Sequence, residues 1–275
     1  MNHEYMIIKA SGERVPFSEE KYRESLRRAG AQDDQIDEIM QKIVPLLPGI
    51  ASTRQLHRVT RRLLRATARR AVAGRYHLKQ AIMQLGPAGY SFEKYVAHVL
   101  AHDGYKTLVN QIIRGRCVEH EVDVVAHRDN TRMILECKFH QHHGLTGLQD
   151  ALVLWARCYD IRESEHDQSL QAGLVTNTRL SSTAIGYGEC RGMMLIGWAY
   201  PRNKGLETMI DAGALHPITC LADLTTGAKR VLLDHGVVLC KDVPHNRDLL
   251  RMGGMREAAI ERVVRESQAI CSGCE

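Results

Sequence analysis

The sequence predicts an α+β fold in three parts: a small, mostly helical N-terminal domain (residues 1–86), a mixed-sheet α/β core (89–203) and a short helical C-terminal region (205–275). A chain of 275 residues with 44% hydrophobic and 25% charged residues has the composition of a globular protein with room for two domains. The cluster "LGPAGY" indicates a linker between the first two parts. Beyond it, the order helix, three-stranded meander, helix, strand, helix, strand predicts a mixed sheet.

The N-terminal domain opens with a predicted strand pair, "YMIIKA" and "VPF", joined by the turn "SGER". Ser18 is the expected N-cap of a helix that stops at Gly30. A second helix is predicted from about Asp34 to Leu47, and a third begins after Ser52 or Thr53. A fourth is predicted around Tyr76, Leu78, Ile82 and Met83.

The positive charge of the chain is concentrated in this domain. The net charge is only +5, yet eight arginines and no acidic residue lie between Arg54 and Arg75. Such a local field suits a polyphosphate or nucleic acid. A solvated helix face explains an arginine run equally well, so both interpretations stay open at this point.

A hairpin is predicted in the core at "EVDVVAHRDNTRMILECK", residues 121–138. With Asp129-Asn130 as a two-residue loop, Asp123 faces Glu136. One face of this ribbon is then wholly apolar and must be core: Val122, Val124, Ala126, Met133, Leu135 and Cys137.

The other face carries Asp123 and Glu136 about 4.5–5.5 Å apart at Cβ. Like charges at that distance destabilise a sheet, whereas a divalent cation between them, Mg²⁺ in particular, would stabilise the pair. Lys138 projects from the same face and can polarise a water molecule. Two alternatives remain: a solvated sheet face that tolerates the acids, and a one-residue register shift that separates them.

Asp123 together with "ECK" resembles the PD-(D/E)xK nuclease core, specifically its Mrr-like restriction endonuclease branch. The resemblance covers about residues 89 to 200 and includes "GYSFEKYVAHVLAHDGYKT" and "LVTNTRLSSTAIGYGECRGMMLIGW". It implies that Asp123 and Glu136 are metal ligands, that Lys138 activates water, and that Glu93 is an outer-shell or second-metal carboxylate. Val122 replaces the proline of the family name, as is usual in this branch.

Residues 5 to 85 resemble the ATP-cone, a four-helix nucleotide-sensing domain found at the front of ribonucleotide reductases and their repressor. The resemblance rests on "IIKASGERVPFSEEKY", "STRQLH" and "RYHLKQAI". It implies that ATP or dATP binds near Lys9, Lys21, Thr53 and Lys79. A helical DNA-binding domain is the alternative for this segment.

Other features of the chain give weaker signals. No apolar run is long enough for a membrane span, the N-terminus lacks signal-peptide features, and the eight cysteines are expected to be reduced, so we expect a cytoplasmic protein. "FHQHHG", with His140, His142 and His143, has poor spacing for one metal, and the C-terminal pair Cys271 and Cys274 lacks a clear partner pair.

Together these observations predict a Mg²⁺- or Mn²⁺-dependent endonuclease that acts on nucleic acid, with DNA as the expected substrate. ATP or dATP would regulate it through assembly into a homo-oligomer. Two rival hypotheses are a non-enzymatic, nucleotide-responsive DNA-binding regulator, and a structural oligomer that retains the acids and lysine without turnover.

Overall fold

The computed structural model describes residues 5–9, 12–67, 69–86 and 90–272. Three features named above lie partly outside these ranges: the start of the "SGER" turn, the centre of the "LGPAGY" linker and Cys274. None of the helices within the described ranges is long and apolar enough to cross a membrane. The α+β fold class predicted from the sequence is confirmed.

Where the structure describes it, the N-terminal part has one antiparallel strand pair and five α-helices. Its elements are β1 (Met6–Ile8), β2 (Arg14–Pro16), α1 (Glu19–Arg28), α2 (Asp33–Ile43), α3 (Thr53–Ala66), α4 (Arg70–Tyr76) and α5 (Leu78–Ile82). Ser18 caps α1 and Ser52 caps α3, each accepting a hydrogen bond from the backbone N–H three residues on. Both caps agree with the sequence prediction.

Two of the predicted helices have different limits in the structure. The second helix ends at Ile43 instead of Leu47 and continues as a 3₁₀ turn, because Pro45 has no N–H to donate within the helix. The predicted fourth helix is divided into α4 and α5 at His77.

The core is a five-stranded mixed sheet with the strand order β3-β4-β5-β7-β9. Strands β3, β4 and β5 form an antiparallel meander, and β7 and β9 join it in parallel. The core elements are α6 (Tyr90–His102), β3 (Lys106–Arg114), β4 (Glu119–Arg128), β5 (Thr131–Lys138), β6 (Leu145–Thr146), α7 (Leu148–Glu165), β7 (Gln171–Thr176), β8 (Arg179–Leu180), α8 (Ser182–Cys190) and β9 (Met194–Ile196).

Helices cover both faces of this sheet. The predicted apolar face of the hairpin is buried and packs against α6, except that Val122 joins the opposite cluster. Val125 and Ile134 lie on the predicted polar face, yet α7 covers them and leaves them 4% and 0% exposed. Helix α7 therefore covers the middle of the polar face, and the residues toward its two ends, such as Asp123 and His127, are less buried.

The C-terminal region is helical, as predicted, and shares the main core. Its helices are α9 (Leu206–Ala212), α10 (Thr226–Asp234), α11 (Arg247–Met252) and α12 (Glu257–Ser272). Their buried side chains form one cluster with α5 and α6. Because α5 belongs to the N-terminal part, the three parts of the chain meet in a single packed body.

Candidate active site and nucleotide cavity

Asp123 and Glu136 lie where the β4–β5 ladder ends. The strands pair from Arg128 with Thr131 to Val124 with Leu135, which is the predicted register. The next pair in this register would be Asp123 and Glu136, but there the strands diverge. The Cys137 N–H instead donates to Asp123 Oδ2 at 2.6 Å. Both carboxylates are thus brought to one end of the hairpin.

The Glu136 carboxylate is held by two cations. Lys138 Nζ lies 2.6 Å from Oε1, and an Arg157 guanidinium nitrogen donates to Oε2 at 2.6 Å. Because the Glu136 side chain is only 13% exposed, this neutralisation is needed to keep a charge at the site. The sequence predicts Lys138 beside Glu136, whereas Arg157 was not among the predicted site residues.

Asp123 and Glu93 have perturbed acidities. Burial raises the pKa of Asp123 to about 6, and the charge of Glu136 adds to this effect. Burial also raises the pKa of Glu93 to about 7, helped by the charges of Asp123, Glu121 and Glu136. Glu93 in the first turn of α6 is therefore electrostatically coupled to the hairpin acids, and its role as an outer-shell or second-metal carboxylate stays a prediction. Raised pKa values among neighbouring carboxyl groups are typical of functional sites.

Lys138 is a cation in this arrangement. Burial acts to lower its pKa, but the hydrogen bond to Glu136 and the charge of Asp150 outweigh that effect and raise the pKa above its usual range. Lys138 can therefore donate a hydrogen bond to a water molecule or phosphate oxygen. Burial raises the pKa of the neighbouring Cys137 thiol, which excludes thiolate chemistry at this position.

The donor set at this end of the hairpin fits a hard divalent cation. Mg²⁺ is commonly held by one or two carboxylates with waters completing its shell, and Asp123 and Glu136 supply such a pair. Within the described residues, no three His, Cys, Asp or Glu side chains are already arranged as a metal-binding cluster. A cation held by Glu136 would therefore have to displace Lys138 or Arg157 from its oxygens.

A cavity of about 650 Å³ lies between the N-terminal part and the core, and we call it the cone cavity. Its volume is suitable for a small-molecule ligand. It is lined by Ile8, Lys9, Ser52, Thr53, Arg54, His57, Gln80, Met83, Gln84, Gln141, His142 and His143.

Lys9 and Thr53 meet in the cone cavity because β1 is attached to the start of α3. The Ile8 N–H donates to Ala51 O at 2.9 Å, so the residue after β1 lies beside the α3 N-terminus. That terminus, with Arg54 and Lys9 around it, is suited to bind phosphate groups. Lys9 is paired with Glu13 at 2.9 Å, but both side chains are exposed, so a phosphate can replace Glu13 at little cost.

Lys21 and Lys79 do not line the cone cavity. Lys21 is exposed on α1. Lys79 Nζ instead donates to Asn177 O at 2.6 Å and lies 4.0 Å from the Trp198 ring centroid. Burial lowers the pKa of Lys79 to about 7. Its ammonium thus connects α5 to the core.

Asn177 extends this connection to the end of the active-site strand. Its side chain accepts from the His140 N–H and donates to His140 O, both at 2.8 Å. His140 follows Lys138 by two residues. The route from Lys79 to Lys138 therefore consists of hydrogen bonds and two residues of chain.

The histidines of "FHQHHG" are separated in space. The ring of His140 lies 3.1 Å from Thr146 Oγ1, whereas His142 and His143 line the cone cavity. Burial lowers the pKa of His143, and the charges of Lys79, Arg54 and Arg179 lower it further. The poor spacing of these three residues for one metal stays a prediction. The sequence did not predict that two of them would face the N-terminal part.

Two family models match the chain, and they define a protein that joins an ATP-cone domain to a second unit. The ATP cone domain matches residues 5–81, which confirms that part of the sequence prediction. The AF1548-like, C-terminal model matches residues 216–271. Neither description names an Mrr-like nuclease, so that assignment stays a prediction.

One sequence match and one structural match establish the family. An uncharacterized protein of Archaeoglobus fulgidus is 36% identical over 176 residues, which are 64% of this chain and 99% of the relative. The crystal structure of a protein of unknown function, AF1548, is 34% identical with a TM-score of 0.58, and the match covers 67% of this chain and 98% of that one. The chain belongs to the AF1548-like family and carries an ATP-cone domain at its front.

Proposed function

We propose that the protein is a metal-dependent endonuclease that hydrolyses phosphodiester bonds of nucleic acid, with DNA as substrate, under the control of ATP or dATP. The observation that carries the nuclease proposal is the group formed by Asp123, Glu136 and Lys138 at the open end of the hairpin. Support comes from the raised pKa values of Asp123 and Glu93, because acids that are costly to ionise gain most from a cation.

Each residue has a role that follows from its position. Asp123 and Glu136 would hold Mg²⁺ or Mn²⁺, and a bound cation would supply the positive charge that stabilises the scissile phosphate. Lys138, protonated and released from Glu136, would orient the attacking water by donating a hydrogen bond. Glu93, with a pKa of about 7, can hold or release a proton at an oxygen atom near neutral pH.

The regulatory part of the proposal rests on the ATP-cone match and on two connections between the cone and the active-site strand. One is the hydrogen-bonded route through Lys79, Asn177 and His140. The other is the loop after Lys138, which places His142 and His143 in the cone cavity. A nucleotide that moves this loop would shift the end of β5 and with it Lys138.

Assembly is the remaining element of the proposal. ATP-cones resembling this one act by switching oligomers, and we propose that this chain forms a homo-oligomer whose size depends on nucleotide. The outer face of α7 exposes Leu152, Val153 and Tyr159, and the β3 edge strand exposes Leu108 and Ile112. Apolar side chains of this kind are a suitable surface for self-association.

The test of the nuclease proposal is nicking of supercoiled plasmid in the presence of Mg²⁺ or Mn²⁺. We expect cleavage by the wild type and none by Asp123→Asn. The matched control is Asp129→Asn, an exposed aspartate in the turn of the same hairpin with φ of 52°, a conformation that asparagine tolerates. Equal cleavage by wild type and Asp123→Asn would exclude the assigned site.

A wild type that binds DNA and ATP but never cleaves, with any of these metals, would favour the rival hypothesis of a nucleotide-responsive DNA-binding regulator. The arginine-rich helix α3 is the observation that supports this rival hypothesis, because a DNA-binding regulator needs such a helix. A nuclease that binds DNA would use the same helix.

A further inference from the structure

Helix α3 carries a row of arginines along one face. Arg54, Arg58, Arg61, Arg62 and Arg65 follow the spacing i, i+4, i+7, i+8 and i+11, which places them on one side of a helix over about 16 Å. They line an open cavity of about 600 Å³ together with His57, His77, Gln80 and Gln84. No carboxylate is among these lining residues. We call this surface the α3 groove.

The charges of the α3 groove are largely uncompensated. Of the five arginines, only Arg65 forms an ion pair within the described part of the chain, with Asp223 at 3.4 Å. The Arg61 Nε atom is buried without a hydrogen-bond partner. Burial lowers the pKa of Arg61, and the charge of Arg65 lowers it further. Cations held together in this way raise the free energy of the folded chain until an anion binds.

We propose that the α3 groove binds the phosphate backbone of a nucleic-acid strand. This inference rests on the proposed function and deepens it, because it assigns the surface that holds the substrate outside the active site. The length of the groove favours a polymer over a single nucleotide. The row of arginines extends over about 16 Å, which is longer than the three adjoining phosphates of one triphosphate, whereas the phosphates of a strand continue along its whole length.

The position of the groove supports the same occupant. It shares Arg54, His57, Gln80 and Gln84 with the cone cavity, and that cavity is also lined by His142 and His143 from the loop after Lys138. The lining therefore continues without a break from the arginines at the far end of α3 to the loop that leaves the active-site strand. A strand bound along it is directed toward the active site.

The test is DNA binding without divalent metal, measured by fluorescence anisotropy over a range of salt concentrations. Arg58 and Arg62 are exposed, so Arg58→Ala/Arg62→Ala is expected to fold. Each lost phosphate contact reduces the slope of log Kobs against log salt by about 0.9 for duplex DNA, so the double variant should lose about 1.8. Arg230→Ala/Arg256→Ala, which removes two exposed arginines outside the groove, should retain the wild-type slope.

Titration of the same variants with ATP completes the experiment. Unchanged ATP affinity together with the reduced slope supports the proposal. An unchanged slope, or a loss of ATP affinity with DNA binding intact, overturns it; the second result would make the groove part of the nucleotide site. Because no metal is present, the outcome is independent of cleavage. A wild type that binds DNA with the expected salt dependence but never cleaves it would contradict the proposed nuclease activity. The proposal that the α3 groove binds DNA would still hold.

Discussion

The two candidate sites of this chain hold like charges together, with opposite signs. At the end of the hairpin, Glu93, Asp123 and Glu136 lie close enough for their charges to raise the pKa values of Asp123 and Glu93. In the α3 groove, Arg61 and its neighbouring cations lie close enough to lower its pKa. Burial is the first cause of the shift in both places.

The difference between the sites lies in how each charge is compensated. Glu136 forms ion pairs with two cations of the chain itself, Lys138 and Arg157. Four of the five groove arginines, in contrast, have no carboxylate partner among the described residues. The acidic site must therefore rearrange to accept a metal, while the basic groove can accept phosphates as it stands. We expect metal binding to depend strongly on pH and phosphate binding to depend strongly on salt.

The largest effect is expected at Lys138. Lys138→Met should reduce turnover by about 100- to 1,000-fold, the range typical of losing one positioned hydrogen-bond donor. Mn²⁺ affinity should be retained or rise, because Lys138 competes with metal for Glu136. Calorimetry and single-turnover cleavage measure the two quantities. Lys106→Met, at an exposed position on β3, is the control; lost Mn²⁺ binding in Lys138→Met would make the lysine structural.

The next largest effect concerns the connection between the sites. ATP or dATP should change the cleavage rate by about 5- to 150-fold, the usual range of allosteric coupling. Lys79→Met removes the donor to Asn177 O but keeps the apolar stem, so the rate should lose its dependence on nucleotide while ATP affinity is retained. A large loss of ATP affinity would instead show that Lys79 contacts the nucleotide, as the sequence resemblance implied. Light scattering with ATP, dATP and neither would show whether the oligomer changes size.

A smaller effect is the pH dependence of metal binding. Metal must displace protons from Asp123, with a pKa of about 6, and from Glu93, with a pKa of about 7, if both carboxylates participate. Mn²⁺ affinity should fall below pH 7 by roughly tenfold per pH unit for each proton released. Glu93→Gln should shift the onset of this fall from about pH 7 to about pH 6. An unchanged profile in that variant would show that Glu93 lies outside the metal's influence.

The smallest effect is on stability without metal. Because the folded-state pKa of Asp123 is raised from 3.8 to about 6, its contribution to stability is present below pH 3.8 and lost as the pH rises through 6. Asp123→Asn should therefore raise Tm by about 1–3 °C at pH 8 and leave it unchanged near pH 4. A lower Tm at pH 8 would mean that the hydrogen bond from the Cys137 N–H outweighs the repulsion.

The hairpin was predictable because the residues that determine its pairing lie within the hairpin itself. Alternation of apolar and polar residues favours one register, and Asp129-Asn130 sets the turn, so the observed pairing of Arg128 with Thr131 is the one that this turn predicts. The ends of α1 and α3 were predictable for the same reason, since Ser18 and Ser52 form local caps.

The partners of the site residues were not predictable in this way. Arg157 reaches Glu136 only because α7 packs across the sheet, and Lys79 reaches Asn177 only because α5 joins the main core. One signal for Arg157 was present: it lies three residues after buried Leu154 and seven after Asp150 on one stripe of α7. The sequence prediction also overlooked two helix-ending residues. His77 divides α4 from α5, and Pro45 ends α2, although a proline is a strong signal for the end of a helix.

The loop after Lys138 has a thermodynamic consequence, because it belongs to both sites at once. If a nucleotide in the cone cavity alters the active site through His142 and His143, then occupancy of the active site must alter nucleotide affinity by the same factor. The nucleotide affinity of the cone cavity would then report whether the metal site is occupied. A fluorescent ATP analogue, titrated with and without Mn²⁺, could read the state of the active site with no substrate present.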